Sequence, residues 1–189
     1  SVGTSIGVLI DQHSEPGERV VLQPPVFTDF KPLVTRAGRR VVKNALVREG
    51  SGYRMDLDEL AEVTRPDDVR LLILCNPHNP VGRVWTADEL AGVAQVCAAN
   101  DVVVIADEIH ADLIYEGSTF TPLAVIGEEM AQNTVVCTAP SKTFNLAGSW
   151  TSLSISDITL IFSSGIFFPI DLPSSFRSIR SYSFPVTQD

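Results

Sequence analysis

Cysteine is scarce in this chain. Three residues among 189, Cys75, Cys97 and Cys137, lie far apart in apolar runs and form no Cys-x-x-Cys pair. That excludes a disulfide frame or a cysteine metal site and points to small core residues in a reducing compartment. Histidine is as sparse, and His13, His78 and His110 do not gather near the cysteines. Positive charge is also short: 14 Lys and Arg against 23 Asp and Glu leave a net charge of −9. Such a balance argues against nucleic acid or an anionic membrane surface as partner. No apolar run reaches membrane-spanning length, the best stretch (158–170) being broken by Ser163, Ser164, Gly165 and Pro169. No signal peptide is visible. No Gly-x-Gly-x-x-Gly follows any apolar run, which counts against a nicotinamide-binding domain. The chain has no initiator Met and starts within what reads as a loop-to-helix element, so an N-terminal segment is expected to be missing.

What is present suits a globular domain, with 44% hydrophobic and 20% charged residues. Small residues, Ser1-Val-Gly-Thr-Ser, lead into a helical pattern that runs to His13. A helix start of this kind leaves backbone N–H groups free and can serve as an anion site. Glu15-Pro-Gly-Glu predicts a turn, Arg19–Gln23 a strand, and Arg39–Leu46 a second strand. Met55–Val63 predicts a short amphipathic helix with acidic residues in its first turn. Val69–Cys75 is a continuous apolar run, the pattern of a strand covered on both faces. Thr86-Ala-Asp-Glu89 is a capping box opening a helix to about Asn100. Asp101–Glu108 and Thr134–Thr138 predict two more buried strands. Strand alternating with helix predicts a mostly parallel, doubly wound α/β sheet. From Ser149 onward that rhythm is lost. Trp150–Asp157 can alternate as one strand with Ser154 and Ser156 on one face, and 158–189 fits no element.

In parallel sheets of this kind ligands sit beyond the carboxyl ends of the strands. Asn79, Asp107 and Lys142 each fall just past such an end, so one pocket can collect all three. Lys142, placed in a loop between Pro140 and Gly148, is expected to be partly desolvated, which makes an amine a nucleophile toward carbonyls. A carboxylate buried at a strand end keeps a heteroaromatic nitrogen protonated and turns the ring into an electron sink. The cofactor that suits the set is pyridoxal 5′-phosphate. Its phosphate would lie at the helix start near Gly3 and Thr4, with the Ser141 hydroxyl. Asn79 and His110 would hydrogen-bond the ring oxygen, and Phe27 would stack on the ring. Each residue also has a plainer reading: Asp107 as a helix cap, Asn79 as a turn former, His110 as a partly buried polar group, Ser141 as a loop hydroxyl. Their joint occurrence at strand ends favours the functional reading.

Five segments carry a family resemblance: Ser-Glu-Pro-Gly (14–17), Gln-Pro-Pro-Val-Phe (23–27), Cys-Asn-Pro-His-Asn-Pro-Val-Gly-Arg-Val-Trp (75–85), Asp-Glu-Ile-His-Ala-Asp-Leu (107–113) and Ser-Lys-Thr-Phe-Asn-Leu-Ala-Gly (141–148). The chain resembles the fold-type I, pyridoxal-phosphate-dependent enzymes of the class I/II aminotransferase superfamily. Within it the likeness is greatest to the cystathionine β-lyase or cysteine-S-conjugate β-lyase branch. The resemblance implies that Lys142 carries the cofactor and shuttles the α-proton, that Asp107 pairs with the ring nitrogen, and that Asn79 contacts the ring oxygen. Phe27 stands where relatives commonly carry a tyrosine, and His110 where many aminotransferases do. It further implies a large cofactor-binding domain over 1–157, lacking its N-terminal segment, then a divergent serine-rich tail over 158–189 with the small C-terminal domain absent. The expected activity is carbon–sulfur β-elimination on a small sulfur amino acid, by a cytoplasmic protein that is a homodimer at full length. An aminotransferase, or a truncated non-catalytic or regulatory protein, is the alternative.

Overall fold

The computed structural model describes residues 1–146 and, past them, the strands at 152–155, 160–163 and 179–181. Five strands form a parallel array: β1 (Arg19–Leu22), β2 (Arg40–Lys43), β5 (Val69–Cys75), β6 (Val103–Asp107) and β7 (Thr134–Thr138), in the order β2-β1-β5-β6-β7. β8 (Ser152–Ile155) runs antiparallel to β7, β9 (Leu160–Ser163) antiparallel to β8, and β10 (Ile179–Ser181) parallel to β9. The sheet is thus mostly parallel with helices on both faces, as expected from the sequence. β9 and β10 fall in the stretch to which the sequence reading assigns no element. Strands of four and three residues carry too few alternations to show a period. The boundary proposed at 157, the faces of Ser154 and Ser156, and the rest of the tail lie outside the described residues.

Strand alternation sorts the core into two clusters. Val20, Leu22, Leu71, Ile73, Cys75, Ile105, Val135 and Cys137 face α1 (Val2–His13) and α2 (Phe30–Arg36). Val21, Leu72, Leu74, Val104 and Ala106 face α3 (Leu57–Thr64) and α4 (Ala87–Ala99). α1 buries Val2, Ile6, Leu9 and Ile10, one stripe at helical spacing, and each such side chain contributes about 1.5–3 kcal/mol. On the opposite layer Asp56 accepts the Glu59 N–H at the start of α3, and Thr86 and Glu89 close a reciprocal cap on α4. A hairpin, β3 (Val47–Glu49) with β4 (Gly52–Arg54), a 3-10 turn (Leu123–Val125) and α5 (Glu128–Gln132) complete the described elements before the Lys142 turn.

One expectation is corrected. Lys142 does not sit in a loop: Pro140–Thr143 forms a one-turn helix, α6. Pro140 occupies its first position, where a missing N–H costs nothing, and Asn145 at φ 51° ends it. One turn is too short to leave a periodic signal.

Candidate functional site

The three central strands end side by side on the α1/α2 face. Register places Cys75 against Asp107 and Asp107 against Cys137, so Asp107 lies in the middle of this row. Asp107 is 6% exposed, and the Ile109 N–H donates to its Oδ1 at 3.2 Å. No helix follows Asp107, only a turn over 109–112, so the plainer reading of it as a helix cap does not hold; the carboxylate instead braces that turn. Burial pushes its pKa up to about 6, against the Ile109 hydrogen bond and the nearby Lys142 charge, which both act downward. Glu108, one residue on, faces the other layer and accepts the Leu123 N–H at 2.9 Å. Burial, with the neighbouring Asp107, raises it to about 7 although the Leu123 bond opposes this.

The 76–85 loop is pinned where β5 stops. Asn76 donates to Thr121 O at 3.0 Å and accepts the Trp85 N–H at 3.3 Å, while Trp85 Nε1 donates to Cys75 O at 3.0 Å. His78 and Arg83 close the turn through backbone bonds, with Gly82 at φ 72°, a conformation that favours glycine. His78 Nε2 donates to Pro25 O at 3.0 Å and so ties the Asn79 loop to the segment that presents Phe27. On the other side Thr143 Oγ1 donates to Asp112 Oδ2 at 2.7 Å, joining α6 to the chain that follows His110.

These links surround a cavity of about 590 Å³, within the size range of small-molecule sites. All eight candidate residues, Gly3, Thr4, Phe27, Asn79, Asp107, His110, Ser141 and Lys142, line it. Phe27 is 39% exposed at the mouth, with its ring edge-on to Phe30 at 5.6 Å between centroids. The side chains of Asn79, His110 and Lys142 have no hydrogen-bond or ion-pair partner among the described residues, which leaves their polar atoms open to a ligand. Burial, and then the Lys142 charge, lower the pKa of His110, favouring its neutral imidazole. Lys142 lines the cavity but is exposed, not the partly desolvated amine expected. At the helix end, the Thr4 and Ser5 N–H groups already bond to Ser1 O at 2.9 and 3.2 Å. That leaves Val2 and Gly3 without intrahelical acceptors. An added Cβ at Gly3 would meet only ordinary contacts at 3.8 Å or more, so its contribution is the N–H rather than the missing side chain.

Sequence reasoning missed three cavity-lining groups. Asp29 and Arg36 bracket α2, whose Pro32 and β-branched Val34 and Thr35 hide a helix; an acidic residue just before Phe30 with a proline two residues into the segment was the available signal. Cys75, read as plain core, is buried and also lines the cavity. Cys97 and Cys137 are buried as well, and among the described residues no disulfide forms and no His, Cys, Asp or Glu cluster can hold a metal.

The donor set fits pyridoxal phosphate: a free amine, a buried carboxylate, neutral donors between them and free N–H groups at a helix start. The chain matches the family model "Aminotransferase class I and II" over residues 1–160. It is 41% identical over 147 residues to the cystathionine beta-lyase PatB of Bacillus subtilis, covering 78% of this chain and 38% of that protein. It resembles the crystal structure of cystalysin from Treponema denticola, which contains a pyridoxal 5′-phosphate cofactor, with a TM-score of 0.81 and 33% identity over 82% of this chain and 40% of that one. It also resembles the N-succinyldiaminopimelate aminotransferase of Mycobacterium tuberculosis, with a TM-score of 0.79 and 32% identity over the same shares. The chain thus spans about two fifths of the length of these relatives. Fold, motif and family match agree: the chain belongs to the class I and II aminotransferase family of enzymes.

Proposed function

We propose that residues 1–157 are the cofactor-binding large domain of a pyridoxal-phosphate-dependent carbon–sulfur β-lyase that acts on a small sulfur-containing amino acid. The observation that carries this reading is the convergence of the eight candidate residues on one cavity, with the Lys142 charge felt at the Asp107 carboxylate. When bound, the cofactor supplies an electron sink for a carbanion at the substrate α-carbon. The chain's own residues do the rest. Lys142 would hold the cofactor aldehyde through its Nζ and, as the free amine, would take the α-proton. Asp107 keeps a proton at the ring nitrogen by ion pairing in a dry site. Asn79 and His110 hydrogen-bond the ring oxygen, Phe27 covers the ring face, and Ser141, Thr4 and the Gly3 N–H hold the phosphate. A thiol leaves the β-carbon, and hydrolysis yields pyruvate and ammonia. Likeness to a cystathionine beta-lyase at 41% identity supports the lyase reading over its sister. That sister, an aminotransferase using the same residues, is supported by the likeness to the N-succinyldiaminopimelate enzyme at 32%. A cytoplasmic location and a homodimer at full length complete the proposal.

Borohydride reduction of the chain with pyridoxal phosphate, followed by peptide mass mapping, tests the site. The expected result is a phosphopyridoxyl group on Lys142. Label scattered over other lysines, or none, would overturn it. Pyruvate and ammonia released without a keto-acid acceptor identify the lyase, a strict acceptor requirement identifies the aminotransferase, and cofactor binding without turnover leaves the non-catalytic alternative.

A further inference from the structure

We infer that Cys75 is a positioning residue, whose thiol fixes the Asn79 backbone beside Asp107; its catalytic meaning rests on the cofactor reading above. The Cys75 sulfur donates to Pro77 O at 3.3 Å and accepts the Asn79 N–H at 3.4 Å. One sulfur therefore spans the turn from the last residue of β5 to the residue that faces the cavity. The turn is locked to Asp107 as well, because Cys75 is registered against Asp107 and the Asn76 N–H donates to Asp107 O at 3.0 Å. Cys75 thus joins, through short bonds, the side chain assigned to the ring oxygen and the one assigned to the ring nitrogen.

The bond to Pro77 requires the neutral thiol, since a thiolate has no proton to donate, and the two bonds hold together only in that form. Burial and the Asp107 carboxylate push its pKa up to about 12, so the proton stays in place. A hydroxyl in the same place prefers contacts of about 2.8–3.0 Å and would draw the turn inward by roughly half an ångström, whereas a methyl group would release it. Cys97 supplies the control: it is 0% exposed and its thiol is also raised to about 12, but it packs in the opposite core cluster, away from the cavity.

The test compares Cys75→Ala, Cys75→Ser and Cys97→Ala in the full chain by two measurements. Without cofactor, amide exchange at Asn79 reads the sulfur bond directly: Cys75→Ala is expected to speed it about tenfold, Cys75→Ser to retain protection, and Cys97→Ala to change nothing local. With pyridoxal phosphate, Cys75→Ala is expected to weaken binding about tenfold and to move the pH midpoint of the bound cofactor's absorbance, with Cys75→Ser between it and the unsubstituted chain. Unchanged exchange at Asn79 in Cys75→Ala, or an equal change in Cys97→Ala, overturns the positioning role. Faster exchange with unaltered cofactor affinity and midpoint overturns its link to the site. Absence of cofactor from the unsubstituted chain is a failure of the function reading alone, because the exchange measurement still decides whether the sulfur holds Asn79.

Discussion

The two faces of the sheet are finished differently. On one, α3 and α4 begin with side-chain caps at Asp56 and Thr86, and Trp85, Leu90 and Val93 are fully buried in the core. On the other, neither Ser1 nor Asp29 caps its helix with a side-chain bond, and α1 and α2 border the cavity. Backbone donors satisfied within the chain stabilise a helix, whereas donors left open at a helix start can bind an anion. The capped face is built for stability and the uncapped face is left receptive.

That division predicts substitutions that separate function from stability. The largest effect is expected for Lys142→Ala: turnover, measured as pyruvate release, falls by about 10²–10⁴-fold, while the melting temperature without cofactor stays put because the side chain is exposed. Asp107→Asn comes next, lowering turnover by about 10²-fold while leaving the cofactor-free chain at pH 7 no less stable in urea, since a buried charge is removed. A third effect is pH dependence. Asp107 at about 6 and Glu108 at about 7 both bind protons more tightly when folded than unfolded, so their contribution is full below pH 4 and is lost as pH rises to 7. For Glu108 alone the loss is roughly 3 kcal/mol, and Glu108→Gln should flatten that part of the urea-midpoint profile. Smallest are the caps: Thr86→Ala is expected to cost about 1 kcal/mol in chemical denaturation and Ser1→Ala a few tenths at most. Equal costs at the two positions would erase the contrast.

The same contrast explains what could be read from sequence. β5 and β6, covered on both faces, stand out as apolar runs, and the Thr86 box marks α4 within a residue. Most of the candidate residues were legible because they lie at or just past a strand end, where parallel sheets place ligands, and Gly3 and Thr4 because small residues open a helix there. α2 and α6 were not, because Pro32 breaks the one pattern and four residues are too few for the other. The exposure of Lys142 and the second role of Cys75 depend on how α6 sits in the folded chain and on a turn folding back over its own sulfur. Neither leaves a local pattern in the residues.

Asp107 and Glu108 are consecutive, yet one faces the cavity and the other holds Leu123 on the reverse side. Losing a single codon within β6 would bring Glu108 to the cavity side and Ile109 to the reverse side. The longer acid would be thrust into the cavity, and the turn at 123–125 would lose its acceptor, so catalysis and folding would fail together. Conservative swaps among Val104, Ile105 and Ala106 carry no such penalty. Drift in the gene is therefore expected to change the letters of this strand freely within the apolar set and never its length.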